Sequence, residues 1–316
     1  MKRSLVAILA VLLGATVAAA SETYPTRTVK LLCWTSAGSP LDAMMRQLGK
    51  QLAEIFGQTV VVENRPGGSG AAAMATLMIQ PADGYTILST TSSMSFTMAM
   101  GRTSFRPDQF TLLPAIQAEP SAVAVRSDSR FETLRQLVDH LRDNPGRLTV
   151  GGFSAAGFHQ FVLYRLQQEA GFKSDWIPFK GGQEAAFALL GGHIDVAVMT
   201  PSSALAQIQT GDIRLLGISS VRRNAHFPEV PTFREQGVDI VESIWRGLMV
   251  KAGTPASVIE VLTAAVEKVK QTQEWHEFSR LNVQSSVDIS LDDMRRLVAD
   301  EIQSDRKFLE SSGFLK

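Results

Sequence analysis

The chain has 316 residues, enough for about two domains of ordinary size. Its 31 lysines and arginines are matched by 31 aspartates and glutamates, so it lacks the positive surplus of a general nucleic-acid binder. Hydrophobic residues at 45% and charged residues at 20% mark a globular chain, and the single cysteine, Cys33, excludes an intrachain disulfide or a thiolate metal cluster.

Lys2-Arg3, the apolar run Leu5 to Leu13 and the small residues Ala18-Ala19-Ala20 read as a secretory signal peptide cut after Ala20. The apolar run is shorter than the ~20 residues of a membrane span. Cutting there removes two bases and no acid, which leaves a weakly acidic, exported, soluble chain.

From Thr28 onward, β-branched runs alternate with helical patterns, the order expected of an α/β fold with largely parallel sheets. Thr28 to Trp34 reads as a buried strand, and Ser36-Ala37-Gly38 as the turn after it. Ser39 caps the next helix, with Pro40 at its first position and Asp42 at its third. Leu41, Met44, Met45, Leu48, Leu52, Ile55 and Phe56 form one apolar stripe, and Gly57 ends the helix. Val60 to Glu63, Thr86 to Leu88, Ala122 to Val125, Leu148 to Gly151, Ile194 to Met199, Leu215 to Ile218 and Gly247 to Val250 read as further strands. Helices are predicted near 134–142, 157–170, 183–190, 202–209, 255–270 and 291–311. With no repeat and no long linker, two lobes would be joined by strands or short turns, as in a hinge.

Five turns of small residues follow strands and precede helices: Ser36-Ala37-Gly38, Thr90-Thr91-Ser92, Gly151 to Gly157, Lys180-Gly181-Gly182 and Thr200 to Ser203. Each can offer backbone N–H groups and a positive helix end to an anion, although tight turning alone also explains small residues. In an open α/β sheet such turns gather at the carboxyl ends of the strands, where ligands bind. The phosphate loop and the Gly-x-Gly-x-x-Gly fingerprint are absent, and the five histidines show no metal-ligand spacing. Gly152 to Ala156 resembles a nucleophile elbow with alanine in place of its second glycine. A secreted serine hydrolase using Ser154, with His276 as base, is therefore the alternative from another class. A solute-binding sensor or scaffold is a third.

Tyr24-Pro25-x-Arg27, Ala37-Gly38-x-x-x-Asp42 with Arg46, Val61 to Gly67 with Gly70, and Asp83 to Leu88 follow one another in a recognisable order. Pro178 to Gly182, Ala185 to Asp195, Pro228 to Thr232, Trp245-Arg246-Gly247 and Gly253-Thr254-Pro255 continue it. Across almost the whole chain after Ala20, this series resembles the periplasmic receptors of tripartite tricarboxylate transporters, the Bug family. Ser39, Leu41, Trp34 and Phe158 depart from that family's usual residues.

The resemblance implies a two-lobed fold of periplasmic binding protein type II, hinged between lobes: 21–122 with 246–316, and 123–245, crossing near Ser121 to Val125 and Arg246 to Val250. It implies a non-enzymatic receptor that closes on a small carboxylated solute and hands it to membrane permease subunits, with no cofactor or metal. The candidate ligand-binding residues are Ser36, Ala37, Gly38, Asp42, Thr91 and Ser92 in one lobe. Ser154, Ala155, Ala156, Gly157, His159, Gly181, Gly182 and Ser202 belong to the other, and Trp245 lies at the second crossing. Asp42 has two readings, a helix-capping acid or a pocket acid, and His159 likewise stands either at a helix start or in the pocket wall.

Overall fold

A computed structural model describes residues 24–101, 103–287 and 289–315. The signal-peptide reading of residues 1–20 lies outside the described residues. Among the described residues no helix is long and apolar enough to cross a membrane.

The strands are β1 (Val29–Cys33), β2 (Val60–Asn64), β3 (Thr86–Thr91), β4 (Phe110–Leu112), β5 (Gln117–Pro120), β6 (Ala122–Arg126), β7 (Val150–Phe153), β8 (Trp176–Phe179), β9 (Val196–Met199), β10 (Ile213–Ile218), β11 (Ser243–Lys251) and β12 (Ser285–Ser286). The helices are α1 (Pro40–Phe56), α2 (Ala71–Met78), α3 (Ser92–Ala99), α4 (Leu134–Asp143), α5 (Phe158–Ala170), α6 (Gly182–Leu190), α7 (Leu205–Gln209), α8 (Ala256–Lys270), α9 (Gln273–Leu281) and α10 (Leu291–Ser311).

Two mixed sheets divide the molecule into two lobes. One sheet runs β12-β5-β11-β3-β1-β2, with β4 also on β11, and the other runs β10-β6-β9-β7-β8. In the first, β1 is parallel to β2 and β3. In the second, β7 is parallel to β8 and β9. Strand β8 includes Pro178, which cannot donate to a ladder and accordingly sits on the sheet edge.

The first β–α unit forms as its local chemistry dictates. Ser39 Oγ accepts the Asp42 amide, and Gly57 closes α1 in the left-handed region at φ 62°. The helix buries Leu41, Met44, Met45, Leu48 and Leu52 against β1, in one core with Leu31, Ile87 and Trp275. The second lobe packs Val123, Leu137, Val162 and Val198 into a separate core, which also takes Phe96 of α3 and Phe308 of α10. Helices α3 and α10 therefore strap the lobes together, Phe96 meeting Phe161 at 5.6 Å and Phe308 at 5.9 Å.

The chain crosses between sheets at Ser121 and again ahead of Ser243, and Ser219 stitches the two crossings side by side. The Ser219 amide donates to the Ser121 carbonyl, and its hydroxyl accepts from the Ser121 amide at 2.8 Å while donating to the Glu242 carbonyl at 2.6 Å. Three backbone segments are thus bonded side by side where the chain passes between the sheets, the place a hinge would occupy.

Helices α2, α3 and α9 and strands β4, β5, β8 and β12 have no counterpart among the elements read from the sequence. Each is short, and Gly68 to Ala73 or Trp176 to Phe179 carries too few residues to display a period.

Candidate functional site

A cavity of about 400 Å³ lies between the lobes, where the carboxyl ends of five strands converge. From one lobe it is lined by Trp34 to Ala37 after β1, Ser39 to Leu41 opening α1, and Thr91 ending β3. From the other come Phe153 ending β7, His159 in the first turn of α5, Lys180 to Glu184 running from the end of β8 into the first turn of α6, and Thr200 and Ser203 after β9. Ile244 and Arg246 of β11 complete the wall. Trp34 and Phe153 meet from opposite lobes with ring centroids 5.6 Å apart.

Arg246 is the dominant charge. It is 4% exposed and pairs with fully buried Glu119, Nη2 donating to Oε2 at 2.8 Å. Strand register builds this pair: β11 and β5 are antiparallel with Ile244 opposite Glu119, so Glu119, Ile244 and Arg246 share one face of the sheet. Glu119 also accepts from the Ser202 amide and hydroxyl, each at 2.7 Å, tying the first sheet to the second lobe. Two buried nitrogens of lining residues, Arg246 Nη1 and Trp34 Nε1, have no hydrogen-bond partner among the described residues. A buried donor without a partner is costly.

His159 is buried, its Nδ1 lying 3.0 Å from Ser121 Oγ. Burial, and then the charge of Arg246, push its pKa down to about 3, so the ring stays neutral at physiological pH and lines the site as a polar group without charge.

The turns contain their own acceptors. Gly38 N donates to Asp42 Oδ2 at 2.9 Å, Ala156 N to Gln160 Oε1 at 2.6 Å, and Lys180 N to Glu184 Oε2 at 2.8 Å. In each case an oxygen four residues on, in the following helix, reaches back onto the turn. Asp42 is thus a capping and loop-holding acid. Burial pushes its carboxyl up, but hydrogen bonds from Arg46, the Gly38 amide and Asn64 outweigh that and hold it below the usual range.

Of the residues singled out by sequence, Ser36, Ala37, Thr91, His159, Gly181 and Gly182 line the cavity. Gly182 is required there by space, because a Cβ on it would lie 2.3 Å from Ser203 Oγ. Gly38 and Asp42 stand behind the wall, bonded to each other. Ser92 Oγ accepts the Trp245 amide at 3.3 Å, and the Trp245 indole donates to Glu301 Oε1 at 2.7 Å, on the opposite face of β11 from the cavity. Ser154, Ala155, Ala156 and Gly157 form the turn into α5 without lining the cavity, and Ser202 is held by Glu119.

Arg246, Trp34 and Phe153 are lining residues that the site reading passed over, and of the turn Thr200 to Ser203 it chose Ser202 where Thr200 and Ser203 line the cavity. Period-two alternation carried the signal for Arg246: Trp245, the residue singled out, faces the other side of the strand.

The serine hydrolase alternative finds no support. Ser154 Oγ faces Ser69 Oγ at 2.7 Å and the Ala155 carbonyl at 3.1 Å, and no imidazole is among its hydrogen-bond partners. Both serines have left-handed backbones, Ser154 at φ 67° and Ser69 at φ 50°, and their contact joins the lobes beside the cavity.

Residues 44–314 match the family model described as tripartite tricarboxylate transporter family receptor. The chain is 28% identical over 289 residues to the protein BugT of Bordetella pertussis, covering 90% of this chain and 88% of that one. A TctC solute-binding protein from Polaromonas superposes with a TM-score of 0.73 at 26% identity, over 92% of this chain and all of that one. Rpa4515 of R. palustris, solved with adipate, superposes with a TM-score of 0.85 at 25% identity, over 92% and 98%. Two hinged lobes, a cavity at their strand ends and a match running nearly end to end make one statement: this chain is a solute-binding receptor of the tripartite tricarboxylate transporter family.

Proposed function

We propose that the protein captures a small carboxylated solute between its lobes in the periplasm, after loss of a signal peptide ending at Ala20, and delivers it to the permease subunits of a tripartite transporter. It binds without turnover. The observation that carries this reading is the cavity between the lobes, set at the carboxyl ends of five strands, lined by small-residue turns from both lobes and by Arg246. A guanidinium at the lining, even one paired with Glu119, adds positive potential that favours an anionic solute. The adipate in the Rpa4515 structure gives the ligand class a precedent among relatives.

The moving bodies would be residues 21–122 with 246–316 and residues 123–245. Membership of β6 in one sheet and β11 in the other supports those limits. Ser36, Ala37, Thr91, His159, Gly181 and Gly182, joined by Thr200, Ser203 and Arg246, would close on the solute as water leaves.

Thermal-shift and calorimetric titration with succinate, adipate, malate, citrate and aromatic carboxylates, with adipamide as the neutral control, tests the reading. At least one acid should bind saturably, raise the melting temperature and compact the protein in solution scattering, and the amide should do neither. No response to any carboxylate would overturn it.

A further inference from the structure

Phe153 ends β7 and Ser154 follows it, both in the second lobe, yet the side chains of both reach the first. Phe153 packs against the first lobe's core, its ring centroid 5.6 Å from that of Trp34 after β1. Ser154 Oγ lies 2.7 Å from the Oγ of Ser69, which stands in the turn between β2 and α2. Resting on the closure in that reading, we infer that Phe153, Ser154 and Ser69 are positioning residues of solute capture, which latch the second lobe onto the first and set how far the cavity shuts. The latch holds closure itself, whichever acid enters.

The backbone is built for this contact. Consecutive residues of an extended strand face opposite sides, so two neighbours reach the same partner lobe only if the chain turns between them. Ser154 makes that turn in the left-handed region at φ 67°, and Ser69 meets it from a left-handed backbone of its own at φ 50°. Residues with a Cβ are rarely found there, and they persist where surrounding bonds over-determine them. Each lobe supplies those bonds separately. Within the second lobe, Trp176 Nε1 donates to the Ser154 carbonyl at 2.8 Å, and the Ser154 amide donates to the Phe179 carbonyl at 2.9 Å. Within the first, Thr97 Oγ1 donates to the Ser69 carbonyl at 2.7 Å. Each serine is prepared by its own lobe, and the two hydroxyls meet where the lobes come together.

The hydroxyls have no other evident use. Glycine would take both backbones without strain, and Gly67, Gly68 and Gly70 around Ser69 already have positive φ, so the side-chain oxygen is what serine adds. Neither serine lines the cavity, and no imidazole is among the partners of Ser154, so neither solute contact nor catalysis accounts for them. Phe153 adds the apolar half of the latch. Its ring covers apolar surface of the first lobe that separation of the lobes would expose to water.

The test reads the distance between lobes in the chain after Ala20, spin-labelled through Ile79→Cys and Phe187→Cys. Both positions are exposed, one following α2 in the first lobe and one in α6 of the second, while Cys33 is buried from the reagent. Double electron–electron resonance, without solute and with succinate, adipate, malate or citrate, gives the ratio of short to long distances. Phe153→Leu, Ser69→Gly and Ser154→Gly should each lower that ratio at least threefold wherever the short distance is populated. The glycine variants suit their left-handed turns and lose only the hydroxyls. Ser69→Gly/Ser154→Gly should therefore fall no further than either single variant, as one shared bond requires. Wild-type ratios in all three single variants, in a protein whose distance still responds to a carboxylate, would overturn the latch and leave the receptor reading intact. Additive losses in the double glycine variant would also overturn it. A distance that no variant and no acid alters would defeat both.

Discussion

Glu119 is the residue whose replacement tests the site most sharply. Its carboxylate is fully buried and receives three hydrogen bonds, from Arg246 Nη2 at 2.8 Å and from the amide and hydroxyl of Ser202 at 2.7 Å. Glu119→Gln keeps the shape but removes the charge opposite Arg246, a guanidinium only 4% exposed whose Nη1 is already without a partner. Breaking one side of a buried ion pair costs about 3–5 kcal/mol, because the other charge stays desolvated and uncompensated. Against a domain stability of about 5–15 kcal/mol this is a large fraction. The double variant Glu119→Gln/Arg246→Met removes both charges and should recover part of the loss, giving a coupling of about 2 kcal/mol or more. Urea unfolding followed by tryptophan fluorescence, with midpoint and slope fitted for all four proteins of the cycle, measures both numbers. A Glu119→Gln protein within about 0.5 kcal/mol of wild type, or strictly additive single variants, would show that the pair is solvated and that Arg246 is no buried anion receptor.

Asp305 lies buried beside Glu301 and Glu242, and burial followed by those neighbours' charges pushes its pKa up to about 9, while burial raises Glu301 to about 7. The folded chain then keeps a proton that the unfolded chain gives up near pH 3.8. Stability should therefore fall as pH rises from 7 to 9, by about 1.4 kcal/mol per unit from Asp305. Denaturation midpoints of Asp305→Asn should be flatter over that window, and an unchanged slope would mean that Asp305 ionises normally. Gly182→Ala drives a methyl into Ser203, whose Oγ would be 2.3 Å away, whereas Gly181→Ala meets nothing within 4 Å. The first should lose at least tenfold in carboxylate affinity by calorimetry, Ser203→Gly should restore it, and equal affinities for both alanine variants would remove Gly182 from the site. Cys33 is fully buried with its thiol pushed up by burial, so Ellman's reagent should titrate it only in denaturant; a rapid reaction in the folded protein would show that the β1 core opens.

Much of the architecture is local and therefore legible. The capping serine, Pro40, the apolar stripe from Leu41 to Phe56 and Gly57 specify both ends of α1, since each acts through neighbours three or four positions away. The turns at the ends of β1, β7, β8 and β9 were legible for the same reason, as was the alternation of strands and helices that implies parallel sheets. Even Asp42 announced its capping role by its place three residues after Ser39.

The content of the site was decided elsewhere. Glu119 and Arg246 are separated by 127 residues and meet because β5 and β11 pair in one register; a slip of one residue would turn Trp245 to the cavity and Arg246 away. The three turn-plugging oxygens are four residues from their amides, yet only the path of each chain entering its helix brings them into bonding distance. The Trp34–Phe153 contact and the Ser69–Ser154 bridge join lobes that have separate cores. Sterics and periodicity act along a few residues and specify the elements, the turns and the two-lobed plan. The faces that meet across the cavity follow from strand register and lobe packing between distant segments, so the charge, the unpartnered donors and the ligand chemistry of this receptor belong to the tertiary structure.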